Sequence, residues 1–236
     1  MKPTIAISMD MDWAPDAVIA DSLDLLAKFN LRATLFMTHR TPLVEKTAHE
    51  LGIHPHFKTL DLEKHLRERL EEYPQSKGTR SHTLFDTYQL QPLYERLGLE
   101  YQSNVLMYQQ PNIQSYRISQ RITELPIYFM DNISVLIDGN PPLFQQIVEK
   151  LNRPGLKIFD FHPIHIFLNM DCLERYEKAK VHYHDAKELL GYRNTKKYGT
   201  RDLFIEFLTH LKACQIQTHT LGELAQDGLK RKLCEY

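Results

Sequence analysis

Thr4-Ile5-Ala6-Ile7-Ser8-Met9-Asp10-Met11-Asp12 is the stretch on which the reading of the fold turns. Its first six residues are apolar or small and partly β-branched, the composition of a short buried strand. The strand runs into two acids, and Pro15 to Asn30 follows at near-helical period, with Val18, Ile19, Leu23, Leu25, Leu26 and Phe29 on the apolar side. Pro15 falls near the first turn, where a helix tolerates proline. Ala33 to Met37 is a second strand. Strand, helix and strand in this order predict a parallel α/β unit.

Working outward, the alternation continues. Thr41 to Glu50 is predicted as a helix, Leu51 to His54 as a short strand, and Leu60 to Glu72 and Thr87 to Leu97 as helices, the last stopping at Gly98. Tyr101 to Leu106, Ile122 to Met130 and Ile133 to Ile137 have strand composition, and Phe144 to Leu151 is helical. Leu156 to Phe161 is a strand, Cys172 to Leu190 and Arg201 to Cys214 are helical in period, and Gln215 to Thr220 is a last strand. Thr220-Leu221-Gly222-Glu223 has the form of a capping box. The expectation is one α/β domain over 1–236, with a lid or insertion at 169–199, where the chain turns polar and rich in Tyr and His.

Composition limits the function. The 236 residues are 42% hydrophobic and 25% charged, as in ordinary globular domains. With 29 basic and 30 acidic side chains the net charge is −1, so no global positive field attracts nucleic acid. No stretch reaches the roughly 18 apolar residues of a membrane span. Cys172, Cys214 and Cys234 are odd in number and form no C-x-x-C pair, which points to reduced thiols in a cytoplasmic protein.

The polar residues fall at strand ends, where parallel α/β proteins gather function. Asp10 and Asp12 lie two apart and face one way in extended chain. One can bind a metal while the other works as a base; the plainer reading, Asp12 or Asp16 capping the Pro15 helix, explains one acid easily and Asp10 poorly. Asp12, His54 and His82 make a one-carboxylate, two-imidazole set that leaves coordination positions open for water and substrate. His56 competes with His82 for the third place. Arg80 can hold Asp10 by a charge-assisted bond. His162 is the candidate proton donor, with His165 behind it. Trp13, Tyr88 and Tyr108 are candidate substrate-facing aromatics. Glu124 and Asp131 are secondary, as loop acids that are usually solvated.

These residues resemble the polysaccharide deacetylases, the NodB-homology group of metal-dependent carbohydrate esterases. Ser8-Met9-Asp10-Met11-Asp12 is similar to the family's first motif, a strand followed by two acids, with one residue between the acids. Leu51-Gly52-Ile53-His54 is similar to the start of its second motif. The family's second metal-binding His falls four residues later, where Lys58 stands here, and the third ligand is therefore moved to His82. Arg80 matches by order the arginine that contacts the base, without the proline and tyrosine that usually follow. Phe159-Asp160-Phe161-His162-Pro163 matches the strand-borne general acid. The combination looks most like a cytoplasmic branch linked to O-antigen and other surface-polysaccharide biosynthesis. The resemblance implies an α/β fold of the distorted (β/α)7-barrel type and one divalent metal, most often zinc. It also implies hydrolysis of an N-acetyl group from a sugar, with Asp10 as base, His162 as acid, Arg80 at the base, and Asp12, His54 and His82 on the metal. The rival readings are an inactive sugar-binding protein on the same scaffold, an Asp-x-Asp phosphatase, which lacks its paired acidic motif here, and a two-His-one-carboxylate iron oxygenase.

Overall fold

The computed structural model describes residues 3–226; Cys234 lies outside them. The opening strand, β1 (Pro3–Asp10), is buried from Ile5 to Asp10. Helix α1 (Asp16–Phe29) lays Val18, Ile19, Leu25 and Leu26 into the core and stops at Asn30, whose left-handed backbone (φ 54°) closes the last turn. The chain then returns as β2 (Thr34–Met37), β3 (Glu50–Ile53), α2 (Leu62–Glu72), β4 (Gly78–Thr79), α3 (Leu90–Arg96) and β5 (Tyr101–Gln102). A hairpin of β6 (Tyr116–Arg117) and β7 (Thr123–Glu124) precedes β8 (Ile127–Met130), α4 (Asp131–Asp138), α5 (Phe144–Leu151) and β9 (Gly155–Phe161). Helices α6 (Pro163–Leu168), α7 (Leu173–Ala179), α8 (Ala186–Gly191) and α9 (Thr200–Ala213) lead to β10 (Thr218–His219).

The strands form one sheet in the order β6-β7-β5-β4-β3-β2-β1-β9-β8, parallel throughout except for the β6–β7 pair. β1 is its axis. One edge pairs with β9 from Pro3 to Met9, while the other is shared, with β10 at Ile5 and Ala6 and β2 from Ser8 to Asp10. Beyond β5 the chain reaches the far edge of the sheet through a bridge between Leu106 and Ile127, so the run from β5 to β8 curls toward closure. This is the distorted (β/α) barrel expected. Its core is aromatic where β9 meets α9: Phe159 lies 4.4 Å from Phe207 and Phe161 lies 4.7 Å from Phe204, ring centre to ring centre.

Three segments depart from expectation. Thr41 to Glu50 forms only a 3-10 turn at Pro42–Val44, because His49 accepts the Ala33 N–H at 3.1 Å and Glu50 already pairs as β3. Ile133 to Ile137 lies in the helix α4, not in a strand; Ser134 and Val135 are buried while Leu136 and Ile137 face solvent. Cys172 to Leu190 is broken into α7, a 3-10 turn at Lys180–His182 and α8. The closing capping box is present: the Thr220 N–H donates to Glu223 Oε2 at 2.9 Å and the Glu223 N–H to Thr220 Oγ1 at 3.4 Å.

Candidate active site

Because the strands run parallel, their C-terminal ends open on one rim, and the chain places there Asp10 and Asp12 (β1), His54 (β3), Arg80 and His82 (β4), Asp131 (β8) and His162 (β9). Nothing in local sequence brings these seven together; the register of the sheet does.

Arg80 is fully buried and lies across the base of the site. Its Nη1 donates to Asp10 Oδ1 at 3.0 Å, to Ser8 Oγ at 2.9 Å and to Asp160 Oδ1, while Nε and Nη2 bind the carbonyl and hydroxyl of Ser103 at 3.0 and 2.8 Å. The guanidinium also stacks 4.4 Å over the Phe36 ring. That ring in turn fills the space of the missing side chain at Gly52, where a Cβ would stand 2.7 Å from it. A buried cation needs buried anions, and here one arginine serves two carboxylates. Burial raises the pKa of Asp160 against the pull of Arg80, and the Asp10 charge adds to the rise.

Asp12 occupies a left-handed backbone (φ 41°), as does Trp13 (φ 56°). For residues with a Cβ this conformation costs about 1–2 kcal/mol each, so the surroundings must hold it. The Trp13 N–H donates to Thr38 Oγ1 at 2.8 Å, and the Tyr183 hydroxyl donates to the Asp12 carbonyl at 2.6 Å. The turn aims the Asp12 carboxylate at two imidazoles: Oδ1 lies 3.1 Å from His54 Nε2 and 3.2 Å from His82 Nδ1. Burial works against this carboxylate's charge, but hydrogen bonds with His54 and His82 and the charge of His162 hold its pKa well below the usual range. The ligand atoms of the three residues all fall within 4.8 Å of one another. Two ligands on a tetrahedral zinc at about 2.0–2.1 Å stand roughly 3.3 Å apart, so this hard-and-borderline donor set fits such an ion. His56 is outside that cluster, half-exposed, its ring 4.8 Å from that of His82.

His162 approaches the oxygen of the Asp12 carboxylate that His54 does not meet. Its Nδ1 bonds Asp131 Oδ1 at 2.7 Å, its backbone N–H donates to Asp131 Oδ2 at 2.9 Å, and its Nε2 points to Asp12 Oδ2 at 3.5 Å. Burial opposes the imidazolium, but the adjoining Asp131 carboxylate, helped by Asp12 and Asp160, raises the His162 pKa well above its ordinary value. His165 sits behind, its Nδ1 on the same Asp131 oxygen at 3.1 Å and its ring against Tyr176 at 5.1 Å.

Two acids are not the solvated loop residues expected. Asp131 is 1% exposed and orients His162. Glu124 is buried, accepts from Gln102 Nε2 and the N–H groups of Asn104 and Val105, and is pushed up to about 7, chiefly by burial. Asp160 was legible as an acid inside the apolar run Phe159-Asp160-Phe161, two residues from His162 and hence on its face of the strand. Of the candidate aromatics, Trp13 stands beside His82 at 5.1 Å, Tyr88 is 83% exposed, and Tyr108 lines a separate cavity with Asp138 and Lys150.

A strand-end cluster of one acid and two imidazoles, with an Arg80-bound carboxylate and an Asp131-bound histidine beside it, has the make-up of a hydrolytic site on a parallel α/β barrel. Residues 7–180 match the WbmS-like polysaccharide deacetylases. The chain belongs to this family, hydrolases of the N-acetyl amide bond of carbohydrates. No curated protein matches it. Among solved structures, it is similar to a candidate polysaccharide deacetylase involved in O-antigen biosynthesis from Bordetella bronchiseptica, with a TM-score of 0.81 and 28% identity over 87% of this chain and 90% of that one. A candidate polysaccharide deacetylase from Mycobacterium smegmatis shares the fold at TM-score 0.60 and 15% identity, covering 98% of this chain and 91% of that one. So does a CE4-family pseudoenzyme from Bacillus anthracis, at TM-score 0.51 and 13% identity over 94% of this chain and 65% of that one.

Proposed function

We propose that this chain is a metal-dependent deacetylase that removes the N-acetyl group of a sugar in O-antigen or related surface-polysaccharide biosynthesis. The observation that carries the reading is the convergence of Asp12, His54 and His82 between an Arg80-bound Asp10 and an Asp131-bound His162. The similarity to the Bordetella bronchiseptica protein supports the biosynthetic role. The free thiols of Cys172 and Cys214 support a cytoplasmic setting. No helix among the described residues is long and apolar enough to cross a membrane. We read residues 1–236 as one catalytic domain, with 169–199 as an insertion that walls the site.

The residues divide the work as follows. Asp12, His54 and His82 would hold one divalent ion, zinc by the make-up of the donor set. When bound, the ion polarises the acetyl carbonyl and acidifies the attacking water. Asp10 has one oxygen committed to Arg80, and its Oδ2, 3.9 Å from His54 Nε2, is left to take the proton of that water. Asp131 fixes the Nδ1 side of His162, so Nε2 is the nitrogen that faces the site and donates to the departing amine. Trp13, at the rim beside His82, offers a face to the sugar ring.

A metal assay tests this directly. Protein reconstituted with zinc and desalted is expected to retain about one ion per chain, and His82→Ala is expected to lose it. Zinc retained in His82→Ala removes His82 as a ligand. Wild-type protein that retains none favours the sugar-binding reading, and the Bacillus anthracis pseudoenzyme shows that the fold occurs without activity. A second expectation concerns pH. The Asp131 carboxylate stabilises protonated His162, so Asp131→Asn lowers the His162 pKa. The alkaline limb of the kcat profile then moves to lower pH, and an unmoved limb would remove His162 as the acid.

A further inference from the structure

We propose that Tyr183 is a positioning residue for the Asp12 carboxylate: with Thr38 it clamps both polar atoms of the Asp12–Trp13 peptide and so fixes the left-handed turn that aims Asp12 at His54 and His82. The inference rests on the reading of Asp12 as a metal ligand. Thr38 follows β2 and takes the N–H of this peptide at 2.8 Å; Tyr183 comes from the far-off 169–199 segment and takes its carbonyl at 2.6 Å. Asp12 and Trp13 are both at positive φ and neither is glycine, so the turn is imposed and not preferred. A peptide gripped at both ends by side chains of separate elements cannot rotate, and its rotation is what would swing the carboxylate away. The platform behind Tyr183 is itself fastened. Asp185 caps α8 through the N–H groups of Lys187 and Glu188. The Asn194 N–H donates to the Leu168 carbonyl at 2.8 Å, its Nδ2 binds the Asn169 carbonyl at 3.1 Å, and Arg193 stacks 4.4 Å over Phe167. The segment thus builds part of the ligand set indirectly, through a single hydroxyl.

Tyr183→Phe deletes that hydroxyl and keeps the ring. Loss of a hydrogen-bond partner that orients a metal ligand typically costs about 10–100-fold in affinity. The experiment measures zinc affinity by competition with a chromophoric chelator, and acrylamide quenching of the metal-free proteins. Trp13 is the sole tryptophan of the chain and reports on the turn itself. Zinc binding about 10-fold weaker in Tyr183→Phe and in Thr38→Val, with more readily quenched Trp13 in both, is the expected result. Tyr192→Phe, in the same segment but with its ring on His182, is expected to match wild type in both readouts. Wild-type affinity and wild-type quenching in a folded Tyr183→Phe overturn the proposal. If that variant does not fold, the same outcome in Thr38→Val overturns it. If wild-type protein binds no zinc, the metal reading fails, and Trp13 quenching alone decides whether the clamp stands.

Discussion

Asp10→Asn is expected to bind zinc as wild type does and to release acetate about 10²–10⁴-fold more slowly, the range contributed by a positioned general base. The substitution changes almost no volume. The introduced amide can still accept from Arg80 through its carbonyl oxygen, and Asp160 and Ser8 keep the guanidinium in place. Asp12, His54 and His82, the proposed metal ligands, make mutual contacts that do not pass through Asp10. What disappears is the oxygen near His54 that can receive a proton. Elemental analysis beside single-turnover acetate release separates the two properties, and turnover within a fewfold of wild type would remove Asp10 as the base.

Arg80→Met is expected to destabilise the protein by about 3–5 kcal/mol, the usual consequence of removing one partner from a buried ion pair. Methionine fills much of the volume over Phe36 but leaves Asp10 and Asp160 facing each other without a cation. It also strands the carbonyl and hydroxyl of Ser103, although the hydroxyl keeps its bond to the Leu125 carbonyl. Adding Asp160→Asn to Arg80→Met is expected to recover part of the loss, because one of the two uncompensated charges goes; the pair is therefore non-additive. Denaturant unfolding of the two single variants and the double variant measures the coupling. A double variant no more stable than Arg80→Met would mean that Asp160 already sits neutral and contributes no repulsion.

The frame of this fold was legible because its central strands are continuous apolar runs. Thr4 to Met9, Ala33 to Met37 and Leu156 to Phe161 announce burial on both faces, and they lie side by side in the sheet. The failures came where local composition and tertiary demand disagree. Ile133, Val135 and Ile137 are β-branched and read as strand, yet the chain needs a helix there so that Asp131, at its first turn, can meet the His162 backbone and ring. The polar rim was partly legible. Asp10, Asp12, His54, Arg80, His82 and His162 stand at strand ends in sequence, and strand ends are countable. Asp131 was not legible as an orienting group, since burial of an acid depends on which histidine the fold sets beside it. Asp160 stands out locally as an acid in an apolar run, but no local pattern encodes that it meets Ser8, 152 residues away, or that Tyr183 meets Asp12, 171 residues away.

The shared edge of β1 has a consequence for how the protein is born. The strand that carries Asp10 is made well before its full-length partner β9 and the short β10. At about 5–20 residues per second of synthesis, the sequence Ile5 to Met9 waits roughly 10–30 s before β9 exists to cover it. During that interval only β2 is available, and it reaches no further back than Ser8. Until β9 is made, the nascent chain therefore carries an apolar strand whose β9 edge is wholly bare. Yield in the cell is expected to depend on what shelters that edge until β9 arrives.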